Sequence, residues 1–292
     1  MFRFDVYVPK DLRDALEAFK IYGEELVPVA GGTDLLVLYR QGIIRFKALL
    51  DLWSLRSELS YVKLEGGLVK IGALTTIDEL SSSELLRDKR FVGLKDACKT
   101  FASPFIRSVA TVGGNVGAAH PLSDIAITLL TYDASVKVRS LEGERVIPLK
   151  SFFLDKRKTV KRPDELITEV FFSEPPDNAS SAFIKLDRKV GHGMGYVAVG
   201  VYAELDGDVI KNVRIAFDSM GRAFPERALM TENALRGMEL SERNVDRVVR
   251  EVLPKEMSRI SDYRASAEYR LHLSQVLLKR ALLEVGKRVR GE

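Results

Sequence analysis

The chain contains little cysteine and histidine for its length, and this excludes several kinds of site. Among 292 residues there is one cysteine, Cys98, which cannot form an internal disulfide or hold an iron–sulfur cluster alone. The three histidines, His120, His192 and His272, lie far apart in the sequence and are few for a zinc or iron centre. We therefore expect no metal on this chain, and redox chemistry would depend on an organic cofactor or a partner.

Long apolar runs and a dominant charge are also missing. No stretch of about 18 apolar residues is present, so the sequence predicts no membrane-spanning helix. Residues 1–7 lack the apolar core of a signal peptide. Lysine and arginine total 45 against 41 aspartate and glutamate, a net charge of +4, and the two signs are mixed rather than grouped. The charge gives no reason to expect nucleic-acid binding, and we expect a cytoplasmic protein.

The length and composition are those of a folded chain of about two domains. Apolar residues make up 46% and charged residues 29%, which excludes intrinsic disorder. The best linker candidate is residues 174–178, Glu-Pro-Pro-Asp-Asn, because two prolines do not continue a central strand. We predict an N-terminal domain over residues 1–175, with subdomains at about 1–55 and 56–175, and a C-terminal domain over residues 177–292.

Hydrophobic periodicity predicts a different arrangement of elements in each part. The first 55 residues read as a β-α-β-β unit with a glycine pair at its centre. The next part contains two hairpins and a helix for which Ser123 or Asp124 is available as the cap. After the linker, strands come first and helices second, which favours an α+β domain. The predicted strands are 4–8, 26–29, 46–50, 61–64, 68–71, 135–138, 145–147, 166–172, 182–186, 196–205 and 209–217, and the predicted helices are 11–22, 77–86, 91–100, 123–130, 225–236, 241–253 and 264–287.

Two glycine pairs carry the clearest functional signal. They lie in residues 29–36, Val-Ala-Gly-Gly-Thr-Asp-Leu-Leu, and residues 110–115, Ala-Thr-Val-Gly-Gly-Asn. Glycine lets the backbone approach a ligand closely, and successive backbone N–H groups in such a turn form a concave anion site. The pairs could be ordinary tight turns. Alternatively, the two loops clamp a pyrophosphate, with Thr33, Thr111 and Asn115 adding side-chain hydrogen bonds.

Other phosphate-binding motifs are absent. The P-loop pattern does not occur. Residues 191–196, Gly-His-Gly-Met-Gly-Tyr, have a tyrosine where a dinucleotide-binding fingerprint needs its third glycine. The residues that follow, 196–205, alternate like a strand, whereas the fingerprint requires a helix. The sequence therefore excludes a Rossmann-type site.

The two glycine loops resemble the FAD-pyrophosphate loops of the flavoprotein, or medium, subunits of molybdenum hydroxylases, the family of carbon monoxide dehydrogenase and xanthine dehydrogenase. Three further stretches are similar in family order: residues 121–124, Pro-Leu-Ser-Asp; residues 183–188, Phe-Ile-Lys-Leu-Asp-Arg; and residues 262–270, Asp-Tyr-Arg-Ala-Ser-Ala-Glu-Tyr-Arg. The similarity runs from about residue 2 to residue 288. It implies an α+β fold: a two-part FAD-binding domain of the vanillyl-alcohol-oxidase (PCMH) type, then a C-terminal three-stranded antiparallel sheet with helices.

The resemblance also implies the residues that contact FAD. Phe101 would lie against the cofactor, Asp124 would contact it, and Ile167 and Lys185 would lie near the isoalloxazine. From the residues alone, Phe101 could instead be core, Asp124 a helix cap and Lys185 a solvated strand residue. The implied cofactor-binding residues are Val29, Ala30, Gly31, Gly32, Thr33, Asp34, Leu35, Phe101, Thr111, Val112, Gly113, Gly114, Asn115, Asp124, Ile167 and Lys185.

The implied function is that of an oxidoreductase subunit with non-covalent FAD and no catalytic residue of its own. A large subunit would hold the molybdenum cofactor, and a small subunit with two [2Fe-2S] clusters would pass electrons to FAD here. FAD would then reduce an external acceptor such as NAD. Two alternatives stay open: a stand-alone FAD-dependent NAD(P)H diaphorase or small-molecule oxidase of the same fold, and a nucleotide-binding or scaffold protein that has lost FAD.

Overall fold

Three main sheets and the helices packed on them make up the part of the chain that the computed structural model describes, which is residues 4–187, 195–218, 223–258 and 261–292. Most of the glycine-rich run at 191–196, including His192, lies outside these ranges. Its last two residues begin a strand, as their alternation predicts. Among the described residues we find no helix with the length and apolar character of a membrane span.

The first sheet is parallel, with β3 (Ala48–Asp51) between β1 (Asp5–Tyr7) and β2 (Leu26–Val29). Helix α1 (Leu12–Tyr22) follows β1 and buries the apolar face that its spacing predicts. The predicted β-α-β-β order is wrong in one respect, since the apolar residues after the first glycine pair form helix α2 (Leu35–Arg40). The reason is that β2 and β3 run parallel, so the chain needs a crossover between them rather than a hairpin.

The second sheet is antiparallel, and both predicted hairpins are present in it. Its strands, together with the separate ribbon β8–β9, are β4 (Val62–Glu65), β5 (Leu68–Gly72), β6 (Ser135–Ser140), β7 (Gly143–Pro148), β8 (Phe153–Asp155), β9 (Lys158–Thr159) and β10 (Leu166–Ser173). The order in the sheet is β4-β5-β10-β6-β7.

Short helices occupy the rest of this second unit. They are α3 (Arg56–Leu59), α4 (Ile77–Ser82), α5 (Val92–Thr100), α6 (Pro104–Arg107), α7 (Val112–Gly117) and α8 (Asp124–Thr131). Of the two candidate caps, Ser123 is the cap of α8, because its hydroxyl accepts a hydrogen bond from the Ala126 N–H. Every residue of α8 is buried, which places this helix between layers. Cys98, on α5, is a buried core thiol whose pKa is raised by that burial.

The C-terminal sheet is antiparallel, and its three long strands confirm the prediction. A helix was predicted to begin at residue 225, and this is wrong because residues 226 and 227 pair with the edge of the third strand instead. The strands, in sheet order, are β11 (Ala179–Asp187), β12 (Gly195–Asp206), β13 (Val209–Phe217) and β14 (Glu226–Arg227). The helices are α9 (Leu229–Leu235), α10 (Glu242–Glu251), α11 (Leu253–Glu256) and α12 (Ala267–Arg290).

The C-terminal sheet lies between two sets of helices. One face packs against α9 and α12, on which α10 lies, and the other face joins the core of the second unit through α5 and α8. The approach to α5 is close at Gly93, where an added Cβ would lie 2.8 Å from the Ala182 nitrogen. The segment between β10 and β11 is bound to the second unit, since Arg90 donates to Glu174 and to the Pro175 carbonyl. The domain boundaries at 175 and 177 stay a prediction.

Candidate functional site

The two glycine loops lie directly against each other. A Cβ added at Gly31 would lie 2.0 Å from the carbonyl oxygen of Val109 and 3.0 Å from the nitrogen of Ala110. On the other side of the contact, a Cβ added at Gly114 would lie 3.9 Å from the Ala30 methyl group. The first loop therefore packs backbone to backbone against the start of the second, and only glycine fits at residue 31.

The first loop presents a run of backbone donors. Gly32 has a φ of +66°, which turns the chain in the left-handed region that favours glycine. No described residue accepts a hydrogen bond from the backbone N–H groups of residues 31–35. Such successive N–H groups in a tight turn form an anion-binding concavity. The first loop thus has the donor set that a pyrophosphate requires.

In the second loop, unlike the first, three successive backbone N–H groups already have acceptors within the protein. The N–H groups of Val112, Gly113 and Gly114 all donate within the protein, the last two to the Ala73 carbonyl at 2.8 Å and the Thr111 hydroxyl at 3.0 Å. A Cβ at Gly113 would lie 2.7 Å from the oxygen of Ala73, the residue that follows β5. This close backbone contact requires glycine at residue 113. Thr111 is the N-cap of α7. These three N–H groups are consequently not donors to an anion.

A chain of contacts leads from the second loop to Asp124. The Asn115 side-chain oxygen accepts a hydrogen bond from the Ser123 hydroxyl, and Ser123 is the N-cap of α8. Asp124 is therefore the first residue of the helix rather than its cap. The alternative interpretation of Asp124 as a helix cap is wrong. Its side chain is 6% exposed and is oriented towards β11.

Asp124 forms a buried ion pair with Lys185. The Lys185 Nζ lies 2.9 Å from Asp124 Oδ2 and 3.4 Å from Asp187 Oδ1, and the Lys185 side chain is 10% exposed. The alternative of a solvated lysine is wrong. Burial raises the pKa of Asp124 to about 6, against the opposing effect of Lys185. Burial lowers the pKa of Lys185, but the two carboxylates outweigh it and raise that pKa overall, so the ammonium stays charged.

Ile167 and Phe101 are both half-buried and pack against the core of the second unit. Ile167 lies beside the second loop, since a Cβ at Gly117, the last residue of α7, would be 3.2 Å from its Cδ1. Phe101 follows α5, where its carbonyl accepts from Arg107 Nη1 at 2.9 Å. The backbone hydrogen bonds of Phe101 join it to Cys98 and Arg107, and its side chain packs against the same core cluster that contains Ala110 and Val112 of the second loop.

Sequence reasoning missed Arg157, which lies in the turn between β8 and β9. Its guanidinium donates to both carboxylate oxygens of Asp34 in the first loop, with Nη2 3.1 Å from Oδ1. Its backbone N–H donates to the Ala119 carbonyl at 2.9 Å. His120 lies nearby, and burial, with Arg157 adding to the effect, lowers the pKa of its imidazole. No local signal marks Arg157, because 123 residues separate it from Asp34.

Two family descriptions together match almost the whole chain. The sequence model described as the FAD binding domain in molybdopterin dehydrogenase matches residues 2–175. The model described as the CO dehydrogenase flavoprotein C-terminal domain matches residues 181–285. Both glycine loops, Asp124 and Ile167 fall within the first match, and Lys185 falls within the second.

Individual relatives match along most of their length. A putative xanthine dehydrogenase FAD-binding subunit of Escherichia coli K12 is 28% identical over 257 residues, covering 88% of this chain and 87% of that protein. The carbon monoxide dehydrogenase medium chain of Afipia carboxidovorans is 28% identical over 280 residues, covering 96% and 95%. The solved structure of reconstituted CO dehydrogenase from Oligotropha carboxidovorans contains a chain that superposes with a TM-score of 0.91 at 28% identity, covering 99% of this chain and 100% of that one. These matches confirm the predicted fold class.

Proposed function

We propose that this chain passes electrons from an iron–sulfur subunit to an external acceptor. The basis is that the chain belongs to the family of FAD-binding subunits of molybdenum hydroxylases. Membership makes it an oxidoreductase subunit whose cofactor is FAD. FAD, when bound, supplies the electron-accepting and electron-donating chemistry, and the protein supplies binding, orientation and electrostatics. The residue contacts that follow are part of the proposal.

The run of free N–H groups in the first loop is the observation that carries this function. A pyrophosphate held there would receive hydrogen bonds from the backbone of residues 31–35. The second loop contributes its side chains and its packing against Gly31 rather than the N–H groups of α7's first turn. The Asn115 amide nitrogen remains available as a donor, since the hydrogen bond to Ser123 uses only the oxygen.

The opposite end of the site would face the isoalloxazine. An ammonium has three N–H donors, and Lys185 directs its charge at two carboxylates, Asp124 and Asp187. A third donor is left for an oxygen or nitrogen of the flavin ring. Because the ammonium is buried between fixed carboxylates, it provides a positive charge in a constant position beside the ring. Ile167 would supply an apolar contact on the side of the second loop.

The partners follow from the relatives. Proteins named as medium chains and FAD subunits of dehydrogenases match nearly all of this chain. We infer a large molybdenum-cofactor subunit, a small subunit with two [2Fe-2S] clusters, and NAD or another acceptor. The alternative of a stand-alone NAD(P)H diaphorase or oxidase has the same fold and differs only in where the electrons originate.

The test is to purify the full chain, alone and with its co-expressed neighbouring genes, and to measure flavin per polypeptide. We expect one FAD per chain, released into solution by acid because it is not covalently attached, and co-purification with iron–sulfur and molybdenum proteins. A chain that takes up no FAD overturns the cofactor assignment. A chain that binds FAD and oxidises NAD(P)H at full rate without partners supports the diaphorase instead.

A further inference from the structure

The Asp34 carboxylate is held by a distant arginine rather than by the loop that carries it. Asp34 immediately precedes α2 with a helical backbone conformation, φ −106° and ψ −49°, and its side chain makes no capping hydrogen bond. Both of its carboxylate oxygens accept from the Arg157 guanidinium. The N–H of Val37, in the first turn of α2, has no acceptor among the described residues. The carboxylate therefore leaves the donors of this loop open.

The backbone holds Arg157 in position for this pairing. Its N–H is bound to the Ala119 carbonyl, and both residues are in the left-handed region, with φ of +61° and +43°. Non-glycine residues keep such angles only where the surroundings fix them. Ala119 closes the segment that follows α7. The turn that carries Arg157 is thus attached to the segment after α7, while its guanidinium reaches the first glycine loop.

Arg157 neutralises the negative charge of Asp34 beside the donors of the first loop. Without Arg157, the Asp34 carboxylate would lie unneutralised next to the donors of residues 31–35 and could occupy them itself. It would also repel the two negative charges of a pyrophosphate across a short distance. A bidentate arginine both fixes the carboxylate and cancels its charge.

We propose that Arg157 is a positioning residue of the FAD site, which holds Asp34 away from the first-loop N–H groups and so leaves them to the FAD pyrophosphate. The inference rests on the proposed function, because FAD is the ligand concerned. Arg157 acts through Asp34 and need not touch FAD.

The experiment measures the dissociation constant for FAD by flavin fluorescence on the full chain after its flavin has been removed. The variants are Arg157→Ala, Asp34→Ala and the double variant. We expect Arg157→Ala to weaken binding at least tenfold in the wild-type background, and by no more than about threefold when it is added to Asp34→Ala. The loss in Arg157→Ala should also shrink at high salt, because salt screens the repulsion of a partly exposed carboxylate.

Two further variants complete the design. Arg139→Ala is the control, since Arg139 forms a more exposed ion pair with Glu144, at 3.1 Å on the β6–β7 hairpin, and FAD affinity should not change. Arg157→Lys keeps the charge without the two-pronged geometry and should bind FAD with intermediate affinity. If Arg157→Ala does not fold, Arg157→Gln with and without Asp34→Ala provides the same comparison, because glutamine removes the charge and keeps much of the side-chain length.

The outcomes separate the two proposals. Wild-type affinity in Arg157→Ala overturns the role of Arg157 while leaving FAD binding intact. A loss in the Asp34→Ala background as large as the loss in the wild-type background also overturns it, because the effect of Arg157 would then not pass through Asp34. If the wild-type chain itself does not bind FAD, the proposed function fails, and this inference fails with it.

Discussion

Replacement of Lys185 by methionine removes the positive charge from the buried cluster while keeping a side chain of similar length. Lys185 lies 2.9 Å from the Asp124 carboxylate, and both side chains are at most 10% exposed. Loss of one partner of a buried pair strands the other charge, which commonly costs about 3–5 kcal/mol. Asp124 responds by taking up a proton, so the cost depends on pH.

The pH dependence can be worked from the pKa of Asp124. Burial raises it from the ordinary 3.8 to about 6 in the folded wild-type chain. Stability therefore falls as pH rises from about 4 to 6, where the unfolded chain loses this proton first. Without Lys185 the pKa rises further, and the fall continues above pH 6. The difference between the two proteins is therefore small at pH 5 and grows above pH 6 by up to about 1.36 kcal/mol per pH unit, for as long as Asp124 stays protonated in the variant.

The assay is urea unfolding of wild type and Lys185→Met at about pH 5 and pH 8. Lys63→Met is the control, because Lys63 is an exposed strand lysine paired with Glu65 at 3.3 Å. It should change the free energy of unfolding by no more than about 0.5 kcal/mol at either pH. An equal loss for Lys185→Met at both pH values would show that packing, not charge, sets the cost, and no loss at pH 8 would refute the pairing itself.

Two predictions concern the glycine loops. Gly31→Ala places a methyl group against the Val109 carbonyl, which must move; we expect a destabilisation of about 1–3 kcal/mol or more and loss of bound FAD, measured by thermal unfolding and by flavin per polypeptide. Stoichiometric FAD in this variant would show that the contact between the loops is not needed for the site. Thr111→Ala removes the acceptor of the Gly114 N–H and should cost about 1 kcal/mol while FAD content stays close to that of wild type. A complete loss of FAD in Thr111→Ala would mean that the hydroxyl itself contacts the cofactor.

Local patterns predicted much of the fold. The hairpins, the C-terminal strands and the helix at Ser123 follow from side-chain alternation, turn residues and a capping hydroxyl, all of which act within a few residues. Residues 35–40 were missed as a helix because six residues are too few for the helical period to stand out, and the parallel arrangement of β2 and β3 is a non-local fact. The strand β14 was missed for the same reason, since it forms only against β13.

The sequence by itself determined that two glycine loops, an acidic residue near 124 and a lysine on a C-terminal strand belong to one family pattern, and these residues suffice to indicate FAD. The sequence could not determine which of the two loops has backbone N–H groups available to a ligand, because that depends on contacts with distant residues. Ala73 takes up the Gly113 N–H, which leaves the free donors on the first loop.

Only the tertiary structure decided the electrostatics of the site. Arg157 meets Asp34 across 123 residues, and Lys185 meets Asp124 across 61. The physical reason is that charge pairing and burial depend on distance in space, whereas helix and strand patterns depend on distance along the chain. Folding converts an isolated aspartate in a glycine loop into a neutralised one, and a strand lysine that sequence reasoning left as possibly solvated into a buried cation.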